Sequence, residues 1–222
     1  MEGTRIPIFK RAEMVILNKK IDDIGQPLAP AGDKDDKSSS ACDYTIDSSN
    51  QIWRQGRRIF AGLPTVSEIR ISKKVICNGG FVYAGLSTGE LVKVDAATRE
   101  LAWTADIFAE NLPTGGAPFL DVTAAPVYNG GFVYAGGLGG AFCKLRDSDG
   151  KKIWCLPVAV QEIIASTQKF NWILTTDGEV LAVSTDGKIY WKAKVGRGGR
   201  HTDDSKECVM GLNISDGNEC QK

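Results

Sequence analysis

Histidine is almost missing from this chain: His201 is alone among 222 residues. Hydrolytic sets built on a nucleophile and an imidazole therefore have little to draw on. Charge of one sign is also missing, since 27 Lys and Arg balance 27 Asp and Glu. No basic run appears, so nucleic acid is not an expected partner. No stretch of 18 apolar residues occurs, which excludes a transmembrane helix. The first residues, MEGTRIPIF, lack the basic and apolar regions of a signal peptide. The six cysteines include no CxxC and no adjacent pair. His201, Asp203, Asp204 and Cys208 lie near one another in sequence, but without the paired spacings that zinc sites show, so no metal is assigned.

What is present is an ordinary globular balance, 42% hydrophobic and 24% charged, with 25 glycines. It is arranged as a repeat. The octapeptide NGGFVYAG occupies 78–85 and again 129–136, and the likeness runs on through 107 and 158. Gly89/Gly140, Lys93/Lys144 and Trp103/Trp154 recur in register. Self-similarity at this period predicts a repeat architecture.

Each unit has one grammar: an Asn-Gly-Gly turn, a short apolar strand, a Gly-bounded turn, a second strand, a polar turn, and a strand ending at Trp. Short strands joined by Gly, Asn and Asp turns predict an antiparallel meander. The strand Phe81–Ala84 is apolar on both faces, which suits a sheet packed between two others. A third copy, 170–195, keeps two Asp-Gly turns and Trp191. Asp47–Trp53 reads as a fourth closing element, resembling Asp147–Trp154, and 212–219 reads as the last turn of another unit. Trp103, Trp154 and Trp191, recurring at one place, are read as inter-blade packing residues and not as a ligand cage.

The expected fold is all-β, a propeller of four-stranded antiparallel blades, with about four blades in a partial or compact ring. Residues 1–45 read as an N-terminal extension and disordered linker, the linker being Gln26–Ser40. Residues 46–195 hold the repeats, and 196–222 read as a degenerate repeat or tail. Cys143 and Cys155 stand equally far from Asp149 and can face each other across a hairpin. Two buried thiols packing as small hydrophobes are preferred there over a cross-strand disulfide.

The apolar strands, the Asp-Gly turns and the stretch VKVDAATRELAW resemble the PQQ-like β-propeller repeat family. Within it, FLDVTAAP at 119–126 with the strands after it, and TTDGEVLAV followed by STDGKIYW, resemble the BamB family, the propeller lipoproteins of the outer-membrane β-barrel assembly machine. Gly3-Thr4-Arg5-Ile6-Pro7 is similar to the start of the mature region in some members. The resemblance implies a non-catalytic scaffold in the periplasm at the outer membrane, needing no cofactor. Its implied partners are the POTRA domains of the barrel-assembly core protein and unfolded outer-membrane proteins. The chain has about half the length of an eight-bladed member and no lipobox Cys.

Carried over by position, the implied partner-binding residues are Asp121, which matches the first Asp of the family's DVD pair, Leu120 beside it, and Arg70 in the preceding blade. Thr123 replaces the second Asp. An exposed Asp and Arg would steer a charged partner while Leu supplies buried area. The plainer alternatives are a turn-capping carboxylate for Asp121 and a solvated strand-edge charge for Arg70. Two other functions stay open: a small-ligand module using a central funnel, and an inactive remnant of a PQQ-dependent dehydrogenase. Active dehydrogenases of that kind use a vicinal Cys pair, and none exists here.

Overall fold

The computed structural model describes residues 14–16, 42–64, 75–108, 119–194, 208–209 and 212–213. All the regular elements among them are β-strands. The first four are β1 (Met14–Ile16), β2 (Tyr44–Ile46), β3 (Gln51–Arg54) and β4 (Arg57–Ala61). The first octapeptide repeat lies within β5 (Val75–Asn78), β6 (Phe81–Gly85), β7 (Glu90–Asp95) and β8 (Leu101–Asp106). The second lies within β9 (Val127–Asn129), β10 (Phe132–Gly136), β11 (Phe142–Arg146) and β12 (Lys152–Leu156). The third unit gives β13 (Val160–Ser166), β14 (Phe170–Thr175), β15 (Glu179–Ser184) and β16 (Ile189–Lys194). A short pair, β17 (Cys208–Val209) and β18 (Leu212–Asn213), follows.

The sheets are antiparallel meanders in sequence order: three strands in β2–β4, then four, four and four. Strand β1 pairs with β16 as a fifth strand, Val15 opposite Lys192. This is an all-β propeller architecture with about four blades. The repeated Asn-Gly-Gly makes the tight hairpins. Gly79 and Gly80 have φ of +57° and +83°, the left-handed values that both central residues of a type I′ turn require.

The two-faced strands of the sequence build a stack. On β6, Val82 and Ala84 face the three-stranded sheet with Ile52 and Ile59, while Tyr83 faces the next sheet with Val133 and Leu145. On β10 the same alternation places Tyr134 against Ile173 and Leu181 of the following sheet. Each fully buried Val, Leu or Ile contributes roughly 1.5–3 kcal/mol on transfer from water, so these junctions carry most of the stability. A register shift recurs at Lys93/Val94, Lys144/Leu145 and Ala182/Val183, one repeat position in three sheets. Such bulges add local twist.

Polar ties cross the junctions at the same places. Trp103 Nε1 donates to the carbonyl of Asp147 in the next sheet at 2.8 Å, and Trp154 Nε1 to that of Thr185 at 3.1 Å. The Lys93 ammonium donates to the Asp147 carboxylate at 2.9 Å and to its carbonyl at 3.0 Å, and it lies over the Phe81 ring. Tyr83 donates to the same carboxylate at 2.7 Å; burial and then this bond raise its pKa far above the ordinary phenol value. Lys144 donates to the Thr185 carbonyl at 2.9 Å, lies over the Phe132 ring and bonds no carboxylate among the described residues, and burial lowers its pKa. In the last unit Ala182 holds the lysine position, and the Trp191 Nε1 is buried without a hydrogen-bond partner.

Two sequence expectations are corrected. Asp47–Trp53 does not close a blade: β3 is the central strand of its sheet, because the Gln55-Gly56 hairpin returns β4 along its free edge. Trp53 Nε1 accordingly donates to Asp47 Oδ2 within its own sheet. The cysteines are not thiols: Cys143 and Cys155 face each other in register, Cα atoms 4.1 Å apart, and are joined by a disulfide. A second disulfide, Cys42–Cys77, links the segment two residues before β2 to β5. Gln26–Ser40, Arg70, His201, Asp203 and Asp204 lie outside the described residues.

Candidate partner-binding face

Antiparallel order gives the stack two ends. One carries the hairpins at 86–89 and 137–141, the turn at 176–178 and the chain passing from β8 to β9; it is called the connector end here. The returning turns at 96–100, 147–151 and 185–188 form the opposite end.

The connector is stitched into the stack. Ile107 N donates to Gly89 O at 2.7 Å, Val122 N to Leu86 O at 3.0 Å, and Ala124 N to Gly136 O at 3.2 Å. Leu138 N donates to Asp121 O at 2.8 Å, and Thr123 Oγ1 to Val160 O at 3.0 Å. Residues 121–124 thus bond to three successive sheets. The approach is close enough to demand glycine twice. A Cβ on Gly85 would fall 2.5 Å from Val122 Cγ1, and one on Gly137 would fall 2.1 Å from the Asp121 carbonyl oxygen.

This stitching overturns the premise that Asp121 is an exposed loop carboxylate: it is 2% exposed. Its main chain is occupied between sheets, and its neighbour Val122 sits in the core with Tyr83 and Leu91. Thr123 is buried as well. Leu120 is half-buried. It lies beside Phe108 at the mouth of the 86–89 hairpin, where a Cβ on Gly89 would meet both at 3.1 Å. The structure therefore brings Leu120 and Asp121 together but exposes only the former.

Two residues that sequence reasoning missed stand out at this end. Phe119 is 40% exposed and Leu63 is 72% exposed. Asn50 holds Leu63 near the same hairpin: its Nδ2 donates to Leu63 O at 2.8 Å, and its Oδ1 accepts from Ser87 N at 2.9 Å. Phe119 was readable as the first residue of FLDVTAAP. Leu63 carried no local signal, since only the long-range contact of Asn50 with the 86–89 hairpin places it there.

Gly85-Leu86-Ser87-Thr88-Gly89 has the Gly-x-Ser-x-Gly pattern. Ser87 lies on a tight β-hairpin and is 8% exposed, whereas the hydrolase pattern needs an exposed serine on a strand-to-helix turn. Among the described residues no group of His, Cys, Asp and Glu could hold a metal ion. The connector end thus offers apolar side chains on a rigid base.

Comparison with known proteins identifies the family. A family model described as outer membrane protein assembly factor BamB matches residues 12–193. The curated BamB of Kangiella koreensis is 21% identical over 124 residues, covering 55% of this chain and 32% of that protein. The crystal structure of BamB from Moraxella catarrhalis aligns with a TM-score of 0.51 at 16% identity, covering 89% of this chain and 55% of that one. A quinohemoprotein alcohol dehydrogenase of Pseudomonas putida HK5 aligns with a TM-score of 0.53 at 17% identity, over 68% of this chain and 32% of its own. At such identities the structural likenesses show the fold alone. The chain spans about a third of the curated relative's length and about half that of the Moraxella protein. With its repeat, its stacked meanders and a family match over most of its length, the chain belongs to the BamB family of PQQ-like β-propellers.

Proposed function

We propose that this chain is a non-catalytic protein-binding scaffold that assists assembly of outer-membrane β-barrel proteins. Its partners are the POTRA domains of the barrel-assembly core protein and unfolded outer-membrane proteins. The observation that carries this reading is the connector end, where Phe119 and Leu120 present apolar area next to residues 121–124, which bond to three sheets, and Leu63 adds more from the segment that Asn50 holds near the same hairpin. Aromatic and aliphatic anchors on a preorganised base give protein contacts most of their energy. The family match supplies the system. Two disulfides support a periplasmic location, because such bonds persist in oxidising compartments. Asp121 contributes by holding the connector, and Arg70, five residues before β5, is proposed as a flanking charge.

The test is titration calorimetry of the full chain with the cognate POTRA domains. Saturable binding is expected, weakened at least tenfold, about 1.4 kcal/mol, by Phe119→Asp. A folded chain that gives no heat with the POTRA domains refutes the reading.

A further inference from the structure

Among the described residues, charge is unevenly shared between the two ends. The connector end exposes Asp106 and Asp177, with Lys194 as its exposed cation. The opposite end exposes Arg57 and Arg58 on the first sheet, Lys151 beside half-buried Lys152 on the third, and Lys169 on the fourth. Its acids are largely engaged. Asp43 pairs with Arg54 at 3.0 Å, Asp149 with Arg146 at 2.9 Å, and Asp186 with Lys188 at 3.0 Å. Asp147 is taken by Lys93, and Asp95 Oδ1 accepts the amides of Ala97 and Thr98. Glu100 is exposed beside Arg99. A chain of zero formal charge thus turns a cationic end away from its apolar partner face.

The cationic end is also apolar in places. Leu101 is 47% exposed at the start of β8, two residues past Arg99, and Ile153 is 43% exposed directly after Lys152 on β12. Strands β8 and β12 are the outer strands of adjacent sheets. Sheets stack about 10 Å apart, within roughly one Debye length at moderate salt, so their cations act together.

We infer that this end docks on an anionic phospholipid surface, with the Arg and Lys side chains on headgroup phosphates and Leu101 and Ile153 at the headgroup boundary. Cations interleaved with exposed aliphatic side chains suit a bilayer surface, where attraction to anionic lipid and apolar insertion add. A soluble acidic polymer would use the cations and leave the aliphatic side chains in water. Choosing a lipid over a nucleic acid rests on the export reading above. The lipid contact is otherwise independent of the POTRA contact, because the two surfaces lie at opposite ends of the sheets. Docking here would point Phe119 and Leu63 away from the bilayer.

The experiment is flotation of the full chain with vesicles of phosphatidylcholine alone and of phosphatidylcholine with phosphatidylglycerol, at low and high salt. Binding is expected only with the anionic lipid. It should fall at least about a hundredfold in the Arg57→Glu/Arg58→Glu/Lys151→Glu/Lys152→Glu variant, and several-fold in Leu101→Ser/Ile153→Ser. Circular dichroism and calorimetry with POTRA domains serve as controls, and both should be unchanged in the two variants. No flotation by the folded wild-type chain overturns the inference. So does flotation indifferent to the charge reversal, or binding to polyglutamate as tight as to the vesicles.

Discussion

Lys93 and Lys144 occupy one repeat position in adjacent sheets but meet different partners, which makes them a matched test of what holds the blades together. The Lys93 side chain is 7% exposed and pairs at 2.9 Å with a carboxylate that is 21% exposed. Lys93→Met keeps the aliphatic stem over Phe81 while removing the charge and two hydrogen bonds. Removing one member of a fully buried pair costs about 3–5 kcal/mol. Here Asp147 keeps the Tyr83 hydroxyl and some water, so the loss should be roughly 2–3 kcal/mol. Lys144→Met removes one bond to a carbonyl, together with a desolvated ammonium, and should cost about 1 kcal/mol or less. Urea unfolding followed by circular dichroism measures both. In the cycle Lys93→Met, Asp147→Asn and the double variant, the double should cost less than the sum of the singles by roughly 1 kcal/mol. Equal losses for Lys93→Met and Lys144→Met, or additivity in the cycle, would refute the assignment of the pair as an inter-blade tie.

Three further outcomes are expected. Gly137→Ala should destabilise the chain by roughly 1–3 kcal/mol, because its Cβ must displace the Asp121 carbonyl, and it should weaken POTRA binding by loosening the connector; native stability in the unfolding curve would contradict this. Removing Cys42–Cys77, which spans 35 residues, should cost up to about 4 kcal/mol, and removing Cys143–Cys155, which spans 12, up to about 3, read from thermal melts of the Cys→Ser pairs. Backbone amides of Thr98 and Ala97 hold the Asp95 pKa below the ordinary carboxylate value. Its stabilising contribution is therefore present above the unfolded-state pKa and lost as pH falls through the depressed folded value. Asp95→Asn should flatten that part of the acid-unfolding curve, and an unchanged curve counts against the cap.

Much of the fold was legible because the repeat carries it. The Asn-Gly-Gly hairpins, the Asp-Gly turns and strands apolar on both faces are local signals, and they all point to stacked meanders. What was not legible depends on contacts distant in sequence. Cys42 and Cys77 meet only because the first two sheets pack together. The Asp47–Trp53 string matched a closing element locally, yet β4 covers its edge and makes it central. Asp121 reads as a surface acid because it matches the first Asp of the family's partner-binding pair, and position in a motif says nothing of burial. Here the connector makes main-chain bonds to two sheets and a Thr123 hydroxyl bond to a third, which buries the side chain and leaves Phe119 at the surface.

The central claim is that the connector end meets the assembly machine. Site-specific photo-crosslinking in living cells tests it most directly, with the photoreactive residue placed at Phe119 or, as a control at the opposite end, at Leu101. The account predicts an adduct containing the barrel-assembly core protein from position 119 and none from position 101. Adducts to that protein from 101 alone, or from neither position in a chain shown to be folded, would contradict it.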